Sequence, residues 1–463
     1  MLFALVLLLT GWPSFRGPNG SGVSDAKRVP VEFGPSSNVG WKVAVPPGGS
    51  SPVIAGDRLF LTASDEGKLL TLAFDRRSGK LLWRAEVEAA RTEPRHKLNS
   101  RASATPATDG ASVYAFFPEF GLVSYDAKGR ERWRVALGPF SNLHGMAASP
   151  LLHGDALYLV CDQDTDSFVL ALDKNTGRTL WKVERLDVVH GFATPNIFQL
   201  RDGGPQLIVP GSYQIVSYDA GTGRKLWSVH GLTWQVKTSA VVDGGVVYAT
   251  GWAPGADAGQ RSELPPFETA LARADADGDK KLSNEELPPE WKHGGSWNFI
   301  DLNRDGKLDA RDWTFYRSRR AAHNVTVAIK PAGASGDLTE SHVLWKYDRS
   351  VPQVSSPLLY EGLLYTVKDG GILTALDAAT GAVRKQARLQ GALGNYYSSP
   401  IVADGRLYIA AETGKMAVVK PGPDWEVLAV NDLGEPCYAT PAPADGDLYV
   451  RTSSTLYCFR TAQ

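Results

Sequence analysis

A short phrase, Asp-x-x-x-Gly-x-x-x-Trp, recurs along this 463-residue chain and constrains its fold more than any other feature. Each copy follows an apolar run and reads as a β-hairpin: Asp hydrogen-bonds the turn, Gly takes positive φ, and the returning strand carries Trp. Copies begin at Asp75, Asp173 and Asp219, with a shorter one at Asp126 and one at Asp377 in which Lys385 replaces Trp. Because a single hairpin cannot bury its own apolar face, the copies must stack on one another.

A second repeated marker lies upstream of each hairpin and gives the number of repeats. It is a small residue, usually Ser or Thr, followed by Pro, and one copy has Ala in place of Pro. The markers are Pro52, Pro106, Pro150, Pro195, Ala240, Pro357, Pro400 and Pro441. Each starts a unit of roughly 45 residues with four short strands, which is typical of a propeller blade. We therefore predict an all-β fold, an eight-bladed β-propeller.

The outer strands of this propeller are expected to carry tryptophans that pack one blade against the next. They are Trp41, Trp83, Trp133, Trp181, Trp227, Trp345 and Trp425. The last unit, from Tyr438 to about Arg460, has room for three strands only, whereas an extra strand, Val39 to Ala44, precedes the first unit. We predict that this N-terminal strand completes blade eight and closes the ring, which removes exposed strand edges.

The interval between Ala240 and Pro357 is too long for one blade, which indicates an insertion between the second and third strands of blade five. The predicted division has a signal-like apolar segment at 1–11 and the first part of the propeller at 12–252. The insertion occupies 253–323 and the rest of the propeller 324–463. The insertion is expected to be small and α-helical.

Two stretches of the insertion match the calcium-binding loop of an EF-hand. That loop places oxygen ligands at positions 1, 3, 5, 7, 9 and 12, with a backbone carbonyl at 7. The predicted ligands are Asp275, Asp277, Asp279, Lys281, Ser283 and Glu286 in the first loop, and Asp301, Asn303, Asp305, Lys307, Asp309 and Asp312 in the second. Two Ca²⁺ sites are predicted, paired through Leu282 and Leu308 at position 8.

Two residues depart from the usual loop. Lys280 stands at position 6, where the backbone takes positive φ, and a residue other than Gly there costs roughly 1–2 kcal/mol. Asp312 replaces Glu at position 12, so its shorter side chain can offer one oxygen instead of two and admit Mg²⁺ more readily. The alternatives are an Asp-rich surface loop without an ion, or a calcium-dependent docking arm. Trp291, Trp297 and Trp313 would be exposed on such an arm, or would form the insertion's own small core.

Composition and cysteine spacing limit the classes of function. The 49 basic and 50 acidic residues balance, so nucleic acid is not a predicted partner. The apolar run Met1 to Thr10 is too short to span a bilayer and resembles the core of a secretory signal. We predict an exported monomer, periplasmic or secreted, without a membrane span. Cys161, Cys437 and Cys458 form no CxxC motif, although Cys437 and Cys458 share a blade and can pair in an oxidising compartment.

The fullest repeat, Val169 to Trp181, together with the segment Trp12 to Val23, resembles the PQQ-like β-propeller family. This family includes quinoprotein alcohol dehydrogenases and the outer-membrane assembly factor BamB. Likeness to the dehydrogenases implies PQQ beneath a disulfide of adjacent cysteines, with calcium and a catalytic Asp in the central funnel. The sequence has no adjacent cysteines and no match to that Asp, so no catalytic residue is assigned. Likeness to BamB implies a periplasmic scaffold that binds the barrel-assembly machinery.

Residues just ahead of each first strand are expected to crowd the funnel. They are Arg101, His144, His190, Trp234, Lys237, Gln353, Asn395, Tyr396, Tyr397, Glu435 and Tyr438. Arg101, His144, His190, Trp234 and Tyr397 are the candidate ligand-binding residues. His144 and His190 occupy corresponding places in neighbouring blades and can ligate a metal or move protons. The alternative is that these side chains satisfy backbone groups at the channel mouth.

These observations predict an exported calcium-binding propeller that acts as a binding or scaffold protein through its ring faces, with an unidentified protein partner. The alternative is a PQQ-dependent or other oxidoreductase with its site in the funnel.

Overall fold

The computed structural model describes residues 11–200 and 203–461, so the signal-like run Met1 to Thr10 lies outside the described residues. Eight antiparallel sheets follow one another along the chain, and consecutive strands pair within each sheet. First strands of neighbouring blades contact each other between blades one and two, two and three, four and five, five and six, and eight and one. The prediction of an eight-bladed propeller is confirmed.

Each blade runs outward from a short first strand to an exposed fourth strand. The strands of the first four blades are Val53–Ala55, Arg58–Asp65, Lys68–Asp75 and Leu81–Glu88; Ala107–Thr108, Ser112–Phe117, Gly121–Asp126 and Glu131–Ala136; Leu151–His153, Ala156–Cys161, Phe168–Asp173 and Thr179–Glu184; and Asn196–Gln199, Pro205–Gly211, Gln214–Asp219 and Lys225–His230. Those of the last four are Val241–Asp243, Val246–Gly251, Val325–Ile329 and Val343–Tyr347; Leu358–Tyr360, Leu363–Lys368, Ile372–Asp377 and Val383–Arg388; Ile401–Ala403, Arg406–Ala410, Lys415–Lys420 and Glu426–Asp432; and Ala442–Ala444, Asp447–Arg451, Thr455–Arg460 and Val39–Ala44.

The ring closes as predicted, because Val39–Ala44 pairs antiparallel with Thr455–Arg460 as the fourth strand of blade eight. Two further short strands extend other blades. Gly11–Trp12 pairs with the first strand of blade one, and Gly336–Asp337 pairs parallel to the fourth strand of blade four.

The insertion predicted in blade five lies between its second and third strands, which pair with each other. It contains helix α1, Phe267–Ala274, and helix α2, Ala310–Ala321, with short helical turns at Pro289–Trp291 and Trp297–Phe299. No helix within residues 11–200 and 203–461 combines the length and the apolar character needed to cross a membrane.

Five of the seven predicted outer-strand tryptophans pack against the next blade, as predicted. The indole Nε1 of Trp133 donates to the Lys174 carbonyl at 2.9 Å, and the ring covers Gly177, whose φ is 72°. A Cβ on Gly177 would lie 2.8 Å from that ring, so only Gly fits beneath it. The same arrangement joins Trp41 to Gly79, Trp83 to Gly129, Trp181 to Gly223 and Trp345 to Gly381.

Two tryptophans differ from this scheme. Trp227 donates to Gln206 of its own blade at 2.9 Å, beside the added strand Gly336–Asp337. The assignment of Trp425 to an outer-strand position was wrong, because Trp425 lies in the turn before the strand Glu426–Asp432, and Ala429, which pairs with Val418 at the bulge, takes the outer-strand position. There it packs against Lys385, whose ammonium lies 4.7 Å from the ring and donates to the Trp425 carbonyl at 2.7 Å. A cation and an aromatic ring replace the usual contact.

The Ser and Thr residues of the eight markers form a ring of hydrogen bonds around the channel. The backbone N–H of seven markers donates to the marker hydroxyl of the next blade, as that of Ser51 does to Thr105 at 2.9 Å. Among the described residues these seven hydrogen bonds measure 2.9–3.1 Å. They run in order from Ser239 to Ser356, Ser399, Thr440, Ser51, Thr105, Ser149 and Thr194. The marker therefore requires a hydroxyl because it connects neighbouring blades.

The segment after Gly11 crosses the channel at the inner ends of the blades. Thr108 of blade two donates to the Pro13 carbonyl, Arg16 donates to the Pro357 carbonyl ahead of blade six, and Asn19 donates to Ile197 of blade four. Arg16 is completely buried, and burial lowers the pKa of its guanidinium to about 9. This segment places Phe15 beneath the central cavity.

The three cysteines are buried free thiols. Cys437 and Cys458 do not pair. The Cys437 thiol lies 3.5 Å from the Arg451 carbonyl, whereas Cys458 lies opposite Trp41 in the closing strand pair.

Candidate functional site

A cavity of about 420 Å³ occupies the centre of the ring. Its wall combines marker hydroxyls, among them Ser51 and Thr105, with imidazole, amine and aromatic groups. The groups with chemical function on this wall are His96, His144, Gln235, Lys237, Trp252, Tyr397 and Tyr438. A concave site with a few polar groups among aromatic rings is suited to holding a small ligand or a partner's side chain.

His144 stands where two covering segments meet. Its ring centroid lies 5.5 Å from that of His96 and 5.4 Å from that of Phe299, which belongs to the insertion. Nε2 of Gln235 lies 3.3 Å from Nδ1 of His144. Burial, with nearby cationic groups, lowers the pKa of His144 to about 4, so the imidazole is neutral at neutral pH.

Lys237 reaches the cavity from the segment before the first strand of blade five. Its ammonium donates to the Trp252 carbonyl at 3.2 Å and lies 5.9 Å from the Trp252 ring. Desolvation lowers the pKa of this amine to about 7.

The five funnel candidates fall into three places. His144 and Tyr397 lie on the cavity wall, and Tyr397 packs against Tyr438 with ring centroids 5.8 Å apart. Burial raises the pKa of Tyr397 to about 12. Arg101 lies outside the cavity wall and pairs with Glu119 at 3.2 Å.

The other two candidates, His190 and Trp234, are buried beneath the insertion. Nδ1 of His190 lies 2.7 Å from the Asp164 carboxylate. Phe299 contacts both His190 and His144, so the structure does not bring the two imidazoles together around a shared ligand position.

Sequence reasoning missed His96 and Trp252. His96 lies on the loop after blade one, and Trp252 lies at the root of the insertion, so neither precedes a first strand.

The first acidic loop gathers its carboxylates. Oxygen atoms of Asp275, Asp277 and Glu286 all lie within 4.8 Å of one another, the one such group of three among the described residues. Asp275 accepts hydrogen bonds from the backbone of Gly278 at 2.8 Å and Lys280 at 3.1 Å. Lys280 has the positive φ expected of position 6, at 64°. The backbone therefore turns around its acidic side chains as a cation-binding loop does.

The second loop has the same backbone arrangement. Asp301 accepts from the backbone of Asp305 at 3.2 Å and Gly306 at 2.9 Å. Asp312 accepts from Leu302, and burial raises the pKa of its carboxyl to about 6. The Asp309 side chain caps helix α2 by accepting from the backbone of residues 311 and 312.

The two loops are joined in two ways. Leu282 and Leu308 exchange backbone hydrogen bonds of 3.0 and 2.8 Å, as predicted. The position-7 lysines also cross between loops. The Lys281 ammonium lies 2.5 Å from Asp305, and the Lys307 ammonium lies 2.7 Å from Asp277 and also contacts Asp279. Each cation offsets carboxylates of the opposite loop.

The insertion has a core of its own, in which Trp291 and Trp313 pack edge to face at 5.6 Å and Trp297 packs alongside. Of the alternatives for these tryptophans, the small core is the one observed.

The insertion lies on the ring instead of projecting from it. Arg319 of α2 lies 3.7 Å from the centroid of the Trp234 ring, and Phe315 stacks on Tyr213 at 5.9 Å. Arg304 of the second loop pairs with buried Asp164 of blade three at 3.1 Å. Contacts of three kinds, cation–π, aromatic and ionic, thus hold the insertion over blades three to five.

Comparisons with known proteins agree with this fold. The profile of the family described as outer membrane protein assembly factor BamB matches residues 34–165 and 165–463. BamB of Alkalilimnicola ehrlichii is 33% identical over 141 residues, which are 30% of this chain and 33% of that protein, so the match spans a third of the relative's length.

Solved structures of two kinds resemble the chain. BamB from Moraxella catarrhalis matches with a TM-score of 0.58 at 11% identity, covering 91% of this chain and 97% of that one. Quinohemoprotein alcohol dehydrogenase from Comamonas testosteroni matches with a TM-score of 0.62 at 12% identity, covering 98% and 81%. At such identities the likeness shows the fold alone.

Proposed function

Because this chain belongs to the family of the outer membrane protein assembly factor BamB, we propose that it is an exported, calcium-binding propeller acting as a binding or scaffold protein at its funnel face. The observation that carries this proposal is the placement of the insertion. It covers blades three to five, and its own residue Pro254, close to Trp252 at its root, forms part of the cavity wall. The same element thus holds the acidic loops and shapes the binding face.

Calcium binding is supported by the two loops. Their side-chain oxygens stand at EF-hand spacing, and their backbones turn around Asp275 and Asp301. Asp275, Asp277, Asp279, Glu286 and the Lys281 carbonyl would hold the first ion. Asp301, Asn303, Asp305, Asp312 and the Lys307 carbonyl would hold the second. An exported protein meets abundant calcium, so ions bound here would serve to stabilise the insertion over the ring.

A protein partner is the ligand we favour at the ring face. The description of the family refers to assembly of outer membrane proteins. Propellers commonly bind their ligands or partners at one end of the channel. A small molecule or a partner's side chain would then enter the cavity beside His144.

Calorimetric titration of Ca²⁺ into chelator-stripped protein tests the proposal. We expect two bound ions per chain, and one after Asp275→Asn or after Asp301→Asn. The exposed Asp424→Asn is the matched control and should leave two. Absence of calcium-dependent heat in the wild-type protein would end the proposal.

An oxidoreductase using PQQ in the funnel is the second candidate, favoured by the amine of Lys237 and the neutral imidazole of His144 in one cavity. Titration of PQQ into the calcium-saturated protein distinguishes it. Stoichiometric binding with a shifted PQQ absorption would support the enzyme, and unchanged absorption would exclude it.

A further inference from the structure

Lys237 is placed unusually for a lysine. Its amine is on the wall of the central cavity, held by the carbonyl of Trp252 at 3.2 Å. Most lysine side chains extend into water, whereas this one is directed inward between the marker ring and the insertion root. The backbone carbonyl accepts one N–H, so the other side of the nitrogen is available to the cavity.

The charge around this amine is not balanced by an acid. Within the described part of the chain, no carboxylate oxygen lies within the 4.0 Å of an ion pair with Lys237. The titratable groups around it are His96 and His144 on the cavity wall and Asp369 farther off. The Lys237 side chain is half-buried and has no counter-ion at ion-pair distance, so partial desolvation lowers the pKa of its amine to about 7. A large fraction of the amine is then neutral at neutral pH.

We propose that Lys237 is a nucleophilic amine that binds carbonyl compounds in the funnel cavity as imines. A desolvated lysine with a free lone pair is the residue type that forms Schiff bases with aldehydes and ketones. This inference rests on the proposed use of the cavity as a ligand site and names the ligand class that the site takes.

The reaction balances without any redox partner. The Lys237 lone pair attacks the carbonyl carbon and forms a C–N bond, and the carbonyl oxygen becomes a hydroxyl. Loss of that oxygen as water, with both amine hydrogens, leaves C=N. Neutral His144, on the same wall, is suited to carrying a proton between nitrogen and oxygen. Water reverses the reaction.

The cavity wall also defines the body of the ligand. Phe192, Trp252 and Tyr397 supply aromatic surface, and the volume of about 420 Å³ admits a single ring with a short carbonyl arm. An aromatic aldehyde therefore fits better than a long aliphatic one.

Reductive trapping tests the proposal. The calcium-saturated full chain is incubated with benzaldehyde and cyanoborohydride, which supplies the hydride that fixes the imine as a benzylamine. Peptide mass spectrometry then gives the labelling rate of each lysine. We expect Lys237 to be labelled roughly tenfold or more faster than exposed Lys42 and Lys420, because more of its amine is neutral. Benzyl alcohol, which fits the cavity but cannot form an imine, should slow labelling of Lys237 only.

Two results would overturn the proposal: equal labelling of Lys237 and Lys42, or equal slowing of both by benzyl alcohol. The variant Lys237→Arg should lose the fast phase, whereas Lys42→Arg should keep it. Urea-unfolded wild-type protein should lose the advantage of Lys237, because unfolding returns the amine to water. Failure here would leave calcium stoichiometry unchanged, so it is distinguishable from failure of the proposed function.

Discussion

Arg304, which lies between two predicted ligands of the second acidic loop, places its guanidinium 3.1 Å from the fully buried carboxylate of Asp164 in blade three. The same carboxylate lies 2.7 Å from His190. A residue of the predicted calcium loop thus offsets a charge inside the propeller, so ordering of the loop and packing of the funnel are energetically connected.

Replacing Arg304 with Met should destabilise the protein, because Asp164 would lose a cationic partner while remaining buried. The expected loss is about 1–3 kcal/mol, reduced from that of a fully buried pair because the Arg304 side chain is 34% exposed. Urea unfolding in saturating calcium measures it. The control Arg77→Met removes an exposed pair with Asp57 and should have little effect. Equal losses in the two variants would contradict a special role for Asp164.

Contact between Trp133 and Gly177 should make that glycine irreplaceable. Gly177→Ala puts a Cβ 2.8 Å from the indole and strains a φ of 72°. Gly154 has a similar φ of 58° with nothing within 4 Å of its Cβ position, so Gly154→Ala carries the backbone strain alone. We expect Gly177→Ala to be less stable than Gly154→Ala by about 1–3 kcal/mol. Matching denaturation midpoints would show that the stacked ring can move aside.

Protonation of His144 at acidic pH should lower the free energy of unfolding. The folded pKa of His144, about 4, lies below its ordinary value of 6.5, so the folded state binds fewer protons than the unfolded state. The contribution of neutral His144 to folding stability is therefore fully present above pH 6.5 and is lost as the pH falls toward 4. We expect on the order of 1 kcal/mol, allowing for water in the cavity. Comparison of wild type with His144→Gln at both ends of this range isolates it, and parallel stability curves would refute it.

Removing the Lys307 ammonium should strengthen calcium binding by the first loop. This cation pairs with Asp277 and Asp279, two predicted ligands, and so competes with the ion. Lys307→Met keeps the position-7 carbonyl of its own loop and should tighten the first site by roughly two- to fivefold at low salt. Exposed Lys292→Met is the control. Weaker binding in Lys307→Met would mean that the lysine supports the loop instead of competing.

The blades were predictable from sequence because their signals are local. A turn Asp, its Gly and the following Trp lie within nine positions, and the marker recurs at blade spacing. Trp425 was misassigned because it lies in the turn before its strand, and the strand register gives the outer-strand position to Ala429 instead. The contacts that cover the funnel were not predictable, because Phe299 and His144 lie 155 positions apart in the sequence and no repeat relates them. The ion pairs that Lys281 and Lys307 form between the loops were not predicted, because position 7 of the loop pattern supplies only a backbone carbonyl and places no requirement on the side chain.

Hydrogen exchange with and without calcium tests the central claim most directly, that calcium orders an insertion which forms part of the funnel. The claim predicts that calcium slows exchange in the acidic loops and also in segments 141–146 and 186–194 of the propeller, which hold His144 and His190. Protection confined to the loops would contradict it, because the insertion and the funnel would then be independent.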